Sequence, residues 1–485
     1  MRPGLDAVID DALGVLLSDG LADVVELAVC ARDGAIEAHA RSGSVGFDAA
    51  GSVRWERGRN PLERQDPAAF SPLDDELANL RPHQDRNHYP FAYRSLAQLF
   101  DDPRAPDVAV VHTGAHNWEE RGGHRGEHGS LGVVQSRAPL IASGAGVRAL
   151  GVIEAAARMI DVAPTVAALA GIERDDGALL RAQDGEVLAN LVDPAGRPAR
   201  VVVFLWDGTN ANVMAALAEA GELPNVARLM GGGTTYRHGL VASFPSVTLA
   251  NHTTAVTGVH PGRHGILHNY YFDRSTGRQI IANAPDTWHR VRDQISRDVE
   301  TIFEAVGRAT GGFTAAVNEP SDRGAGYATF DLLRSGEVGS VVDALPTPVD
   351  VPGATLEFAN LKREYAWSSG ADNLAVQQAI ELWSGARGNP RPTLMWVNLI
   401  LPDSGNHLGG PYSEIGHAAL RDTDRRMGQV LDAMGWGDDQ TAFLLIADHG
   451  MEESDPDCKG DWDLALEAAG VRFRDEGYGF LYLDP

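Results

Sequence analysis

The sequence predicts an α/β fold in which a mostly parallel central sheet is covered by helices on both faces. Apolar, β-branched runs bounded by turn-forming or acidic residues are typical of buried strands, and they occur at residues 24–30, 107–111, 138–143, 201–206, 394–401 and 442–447. Helical periodicity occurs between them, at residues 213–220, 299–308, 373–384 and 417–434. This alternation indicates a parallel sheet, and in such sheets binding sites form at the carboxyl ends of the strands.

Length and charge limit the classes of function. The 485 residues, of which 44% are hydrophobic, are enough to bury a large core. The formal net charge of −26 argues against binding to a nucleic-acid polymer, because no block of Lys and Arg is present to contact phosphates. An anionic small-molecule substrate therefore needs a local positive site, such as metal ions.

Targeting signals and cysteines indicate a cytoplasmic protein without a membrane partner. The first residues include acids where a signal peptide would carry basic residues before a long apolar run. No stretch is long and apolar enough to span a bilayer. Cys30 and Cys458 are the two cysteines, too few for a disulfide framework or a thiolate zinc cluster.

Polar side chains that suit metal chemistry follow three of the predicted strands. Asp207 ends the run VVVFLWD, Asp403 and His407 follow the strand in WVNLILPDSGNH, and Asp448 and His449 end FLLIADH. Each motif alone is a weak signal, because an acid at a strand end is often only a cap. Together, the carboxylates and imidazoles form a ligand set suited to Zn²⁺ or Mn²⁺.

A glycine-punctuated segment, TLANHTTAVTGVHPGRHGILHN, carries further candidates. Thr248 is interpreted as a helix N-cap, as a nucleophile, or as both, because a helix N-terminus lowers the cost of an alkoxide. Asn269 is either a left-handed turn residue or a donor to substrate. His252, His264 and His268 are interpreted as structural residues that form hydrogen bonds in the loop rather than bind metal.

The combined motifs resemble the nucleotide pyrophosphatase/phosphodiesterase pattern of the alkaline phosphatase superfamily. They are D-G after the first strand, T-L-A-N-H, T-G-x-x-P-x-x-H-G-I-x-x-N, P-D-S-x-x-H and D-H-G-M, within residues 201–451. The resemblance implies an alkaline phosphatase-like α/β fold and a metal-dependent hydrolase acting on a small phosphodiester or a nucleotide. Leu249 and Ala250 replace an aromatic residue and a proline of the family motif, which weakens the case for aromatic stacking of a substrate base.

The resemblance also implies a role for each residue of the set. Thr248 would be the nucleophile, and Asn269 would donate a hydrogen bond to a non-bridging phosphoryl oxygen. Two divalent metal ions are implied, with Zn²⁺ expected and Mn²⁺ as the alternative. The implied ligands are Asp207, Thr248, Asp448 and His449 for the first ion, and Asp403, His407 and one further histidine for the second.

The further histidine is expected from the N-terminal third of the chain. The family pattern has it in an H-G motif beyond D-H-G-M, but no histidine follows His449. The motif E-H-G at His128, followed by DVAPTVAALAGI, is similar to the closing segment of alkaline phosphatase-like proteins. The chain thus resembles a circular permutation, one domain in which residues 1–172 correspond to the usual C-terminal part, residues 173–200 are a linker, and residues 201–485 form the N-terminal and central part. The alternative is an independent N-terminal domain with an incidental E-H-G.

Three other functions compete with the phosphodiesterase interpretation. A carbon–phosphorus bond hydrolase of the phosphonoacetate hydrolase type would use similar metal ligands and stays an alternative. A catalytically inactive, metal-binding member of the fold is the second alternative, although Thr248 and Asn269 favour an enzyme. A sulfatase is not expected, because neither cysteine lies in a C-x-P-x-R context.

Overall fold

The computed structural model describes residues 4–117, 123–173, 178–338, 362–437, 439–458 and 460–484. Its centre is an eight-stranded sheet whose first five strands are parallel to one another. The spatial order is Tyr327–Ala328, Thr314–Val317, Leu394–Leu399, Arg200–Trp206, Thr441–Ile446, Leu140–Gly144, Gly233–Tyr236 and Gly151–Ile153. The predicted α/β fold with a mostly parallel sheet is confirmed.

The strand Arg200–Trp206 shows why the central strands are continuous apolar runs. Alternate residues from Val201 to Leu205 pack in the core on one face, and those from Val202 to Trp206 pack in the core on the other. Both faces are apolar because helices cover both. The helices of the first core are Val162–Leu169, Thr248–Thr257 and Ile302–Thr310, and those of the second are Ala211–Glu219, Pro224–Gly231, Lys362–Ser384 and Glu414–Met434.

A second, seven-stranded sheet is antiparallel throughout and combines strands from both ends of the chain. Its order is Phe473–Glu476, Phe480–Leu483, Val108–His112, Val25–Arg32, Ala35–Ala40, Gly43–Phe47 and Val53–Gly58. The helices Leu5–Leu16 and Trp462–Ala468 share a hydrophobic core with strands of this sheet. Two of its strands, Gly43–Phe47 and Val53–Gly58, were not among the strands predicted from apolar runs. The latter has no buried face and hence no hydrophobic period.

Shorter elements complete the fold. The short helices are Asp19–Leu21, Leu73–Leu77, Ala92–Ala97, Gln98–Asp101, Val133–Ser136, Met159–Asp161, Pro261–His264, Trp288–Arg290, Val291–Gln294, Asp331–Arg334 and Leu401–Gly409. The short strands are Gly126–Glu127, Arg137–Ala138, Ala157–Arg158, Leu240–Val241, Tyr270–Asp273, Arg278–Ile281 and Glu452–Glu453. Within the described residues, no helix has the length and apolar character needed to cross a membrane.

Residues 1–172 and 201–485 contribute strands to the same sheets. Leu140–Gly144 lies between Thr441–Ile446 and Gly233–Tyr236 in the central sheet, and Val108–His112 pairs with Phe480–Leu483 in the second sheet. These pairings support the proposal that the two segments form one domain. The circular permutation itself stays a prediction.

Deletion of residues 1–172 should abolish cooperative folding, because it removes Leu140–Gly144 from the interior of the central sheet and exposes two strand edges. We expect the shortened chain to show no cooperative thermal transition by circular dichroism, whereas the full chain shows one. A shortened chain with a cooperative transition would contradict the one-domain proposal.

Candidate active site and metal centre

Three neighbouring parallel strands deliver the acidic side chains of the candidate site. Asp207 directly follows Arg200–Trp206, and Asp448 follows Thr441–Ile446 by two residues. Asp403 lies in the first turn of the helix Leu401–Gly409, which begins just beyond the strand Leu394–Leu399. Because parallel strands end at the same edge of a sheet, all three carboxylates meet at the carboxyl edge.

The first cluster consists of Asp207, Asp448 and His449, all buried. The Nε2 atom of His449 lies 3.1 Å from Asp448 Oδ2 and 3.7 Å from Asp207 Oδ1. Among the described residues, these three atoms are buried without a hydrogen-bond partner. Such atoms are costly unless something else satisfies them, and converging lone pairs of this kind fit a cation.

The second cluster surrounds Asp403. Its Oδ1 atom lies 3.4 Å from His407 Nε2 and 3.7 Å from His128 Nε2. The positive φ of 61° at Gly208 allows the loop after Asp207 to approach this cluster closely. A Cβ atom on Gly208 would lie 2.4 Å from Asp403 Oδ1, so only glycine fits here.

The three histidines share one arrangement that suits metal binding. In each, Nδ1 donates to a backbone carbonyl: His128 to Ser246 O at 3.0 Å, His407 to Gly126 O at 2.7 Å, and His449 to Gly450 O at 2.9 Å. A carbonyl can only accept, so Nδ1 carries a proton in each ring, and Nε2 is the atom that offers a lone pair when the ring is neutral. Ligand atoms at about 2.0–2.1 Å from a tetrahedral zinc lie about 3.3 Å apart, close to the separations of the Nε2 and carboxylate oxygen atoms.

Electrostatics in the first cluster also indicate a need for positive charge. Burial, together with the charge of Asp448, raises the pKa of Asp207 to about 7. Burial alone would lower the pKa of His449, but the Asp448 carboxylate raises it to about 9. A divalent cation between these groups would relieve the repulsion between the two carboxylates.

Thr248 and Asn269 meet at the start of the helix Thr248–Thr257. Thr248 is the first helical residue and Val247 is the N-cap, so the interpretation of Thr248 as the cap was wrong by one position. Asn269 Oδ1 accepts a hydrogen bond of 3.0 Å from the Leu249 N–H, which leaves its Nδ2 group as the donor. Asn269 is not in the left-handed conformation, so its interpretation as such a turn residue was also wrong.

A cavity of about 140 Å³ adjoins Thr248. Its lining includes Asp207, Asp403 and the aromatic residues Trp288 and Trp367, whose ring centroids lie 5.7 Å apart. Sequence reasoning missed these aromatic residues, because they lie far from the motifs along the chain and only the fold brings them to the cavity.

The remaining histidines of the motif differ from one another. His264 accepts from the Ile266 N–H at 3.2 Å and contacts Thr254 Oγ1 at 3.0 Å, as expected for a structural residue. His252 lies on the helix rather than in a loop, and its ring contacts the buried Glu319 carboxylate. Burial would lower the pKa of His252, but Glu319 and Asp207 raise it well above its ordinary value. The sequence signal that could have identified Glu319 is an acid two residues beyond the apolar run AAV.

Comparisons with known proteins place the chain among phosphodiesterases. Residues 201–485 match the profile of the type I phosphodiesterase/nucleotide pyrophosphatase family. The chain belongs to this family. Mouse ectonucleotide pyrophosphatase/phosphodiesterase family member 1 is 25% identical over 255 residues, which are 52% of this chain and 24% of that protein. The venom phosphodiesterase of Macrovipera lebetinus is 23% identical over 266 residues, or 52% of this chain and 26% of the relative.

Among solved structures, the chain matches phosphonoacetate hydrolase from Sinorhizobium meliloti. It is 20% identical, with a TM-score of 0.35 over 52% of this chain and 57% of that one. The chain spans about a quarter of the length of the curated phosphodiesterases described above. Membership of the type I phosphodiesterase/nucleotide pyrophosphatase family confirms the predicted family and its alkaline phosphatase-like fold.

His128 lies outside the residues that match the family, and its role as a metal ligand stays a prediction. We expect His128→Ala to reduce the bound metal from two ions to about one per chain, because the second cluster loses one of three ligands. Elemental analysis of the purified protein measures this ratio. His83→Ala, which removes an exposed histidine that lies in none of the possible ligand clusters of the described residues, is the control and should keep both ions. An unchanged metal content in His128→Ala would contradict the assignment.

Proposed function

We propose that the chain is a metal-dependent phosphoester hydrolase that uses Thr248 as nucleophile and acts on phosphodiesters or nucleotide pyrophosphates. The observation that carries the proposal is the shared arrangement of His128, His407 and His449. Each ring is fixed through Nδ1 and directs Nε2 toward the carboxylate of Asp403 or of Asp448, and Asp403 lines the same cavity as Thr248.

The donor atoms divide into two sets, one for each of two divalent ions. Asp207, Asp448, His449 and the Thr248 hydroxyl would hold the first ion, and Asp403, His407 and His128 would hold the second. Oxygen and imidazole ligands suit Zn²⁺, with Mn²⁺ as the alternative. When bound, the ions supply a lowered pKa for the attacking hydroxyl and positive charge for the phosphoryl oxygens.

The protein residues supply the nucleophile and the position of the phosphoryl group. Thr248 Oγ1 would form a bond to phosphorus as the ester bond on the opposite side breaks, and the departing oxygen takes a proton. Water would then cleave the phosphothreonine and restore the hydroxyl. Thr248 begins a helix, whose N-terminus favours negative charge on the attacking oxygen. Asn269 Nδ2 would donate to a non-bridging oxygen.

The cavity lining favours diesters that carry an aromatic or apolar group. No Lys or Arg is among the described residues that line it. The His252 ring in the lining is already flanked by the carboxylates of Glu319, Asp207 and Asp448, so it does not pair with a second negative charge of the substrate. Trp288, Phe330 and Trp367 offer ring faces on which an aryl group or a base stacks. They supply aromatic surface where Leu249 cannot. The same lining disfavours a phosphonate that carries an additional carboxylate.

Thr248→Ala should lower the turnover of an aryl phosphodiester by about 10³-fold or more, since it removes the nucleophile. Metal content should stay near that of the wild type, because the other ligands of the first ion are intact. Thr248→Ser, which keeps a hydroxyl, is the matched control and should retain measurable turnover. Near-native turnover by Thr248→Ala would refute the assignment of Thr248 as the nucleophile.

Substrate preference tests whether the chain acts on phosphodiesters rather than on phosphomonoesters or phosphonates. We expect kcat/KM for bis(4-nitrophenyl) phosphate to exceed that for 4-nitrophenyl phosphate or phosphonoacetate by at least about 10-fold. The reason is that the second negative charge of these last two compounds finds no Lys or Arg among the described residues that line the cavity. Loss of all activities after chelation, and recovery with Zn²⁺, is the control for metal dependence. A monoester or phosphonate hydrolysed faster than every diester would overturn the proposal.

A further inference from the structure

Glu319 is a fully buried carboxylate close to the candidate metal centre. It follows the strand Thr314–Val317 by two residues and has 0% exposure. Its Oε1 accepts from the Ser321 N–H at 2.8 Å, and its Oε2 lies 2.8 Å from His252 Nδ1. Burial of a carboxylate is costly unless a charged or hydrogen-bonded partner compensates for it. The orientation of His252 is therefore fixed by a strong contact.

The other nitrogen of the same ring faces the first metal cluster. His252 Nε2 lies 3.6 Å from Asp207 Oδ2 and 3.6 Å from Asp448 Oδ2. Asp207 thus directs its two oxygens to different partners, because Oδ1 faces His449 while Oδ2 faces His252. His252 Nδ1 donates to Glu319, whereas Nε2 lies within ion-pair distance of both acidic residues without a hydrogen bond to either, so the ring stands between Glu319 and the two carboxylates.

We propose that Glu319 and His252 are positioning residues for the metal site of Asp207, Asp448 and His449. Like-charged carboxylates side by side in a buried site tend to separate, and an imidazole between them opposes this. With Oδ2 of Asp207 facing His252, Oδ1 of the same carboxylate stays directed at His449 and the metal position. Asp448 is also oriented by the Gly208 N–H, from which its Oδ1 accepts a hydrogen bond of 3.1 Å. Loss of such an outer partner typically weakens metal affinity 10–100-fold. This inference rests on the proposed function.

A neighbouring pair of residues provides a matched control. Thr253 Oγ1 lies 2.8 Å from Ser321 Oγ, and both residues are fully buried. This contact joins the same helix to the same segment, one residue from His252 and two from Glu319. Neither hydroxyl belongs to a metal cluster. Ser321→Ala therefore removes a buried hydrogen bond between the two elements, while the Ser321 N–H that Glu319 uses remains.

The test is a zinc titration of metal-free full-length protein against a chelating dye, which yields a dissociation constant for each site. For Glu319→Gln we expect 10–100-fold weaker binding at one site, an unchanged constant at the other, and a lower kcat with KM little changed. Ser321→Ala should keep both constants. His252→Gln should weaken zinc binding at the same site by a similar factor. The double variant Glu319→Gln/His252→Gln should bind zinc no more weakly than either single variant, because the two residues act as one unit.

Two results would overturn this inference and leave the proposed function standing. One is wild-type zinc affinity in both Glu319→Gln and His252→Gln. The other is equal weakening at both sites together with a lower unfolding midpoint, which is the effect of a merely structural residue. A wild-type protein that binds no zinc and hydrolyses no phosphodiester would instead refute the proposed function, and this inference with it. The wild-type measurement therefore distinguishes the two failures.

Discussion

Repulsion among carboxylates is the constraint on which the rest of the site depends. Three parallel strands end at one edge of the central sheet and bring Asp207, Asp403 and Asp448 together, and Asp207 and Asp448 are buried. Burial, together with the charge of Asp448, raises the pKa of Asp207, so an uncompensated cluster would oppose folding. Under the proposed function, the imidazoles, the helix N-terminus and the glycine at position 208 would surround cations at this point.

Backbone pairing, rather than side-chain contact alone, brings the two halves of the chain to the site. Gly126–Glu127 forms a short antiparallel ladder with Glu452–Glu453. This ladder brings the residue after Glu127 close to the D-H-G-M segment, and the His128 and His449 rings stack with centroids 3.7 Å apart and an interplanar angle of 13°. Residues more than 300 positions apart along the chain are thereby held in register by backbone hydrogen bonds, which tolerate changes of sequence.

Strands that are buried on both faces could be predicted, because they are continuous apolar runs in the sequence. Strands that are stabilised mainly by pairing with a neighbouring strand could not. Val201 to Trp206 is apolar on both faces and could be recognised alone. The strand Val53–Gly58 could not, because its side chains are mostly exposed and its partner strand supplies the hydrogen bonds. The metal-type residues follow recognisable strands. The contact between His252 and Glu319 joins residues 67 positions apart. No local sequence pattern predicts a contact between residues so far apart along the chain.

Charge balance explains how a protein with a net charge of −26 accommodates an anionic substrate under the proposed function. Charges beyond about 8 Å are screened at physiological salt, so the distant acids matter less than the site. There, two divalent ions would outweigh the three carboxylates by one positive charge. His252 and Glu319 form a pair whose opposite charges cancel. The single negative charge of a phosphodiester would then be neutralised, whereas a doubly charged phosphate would leave an uncompensated charge in a buried site. The arrangement of acids thus limits the charge of the substrate as well as the position of the metal.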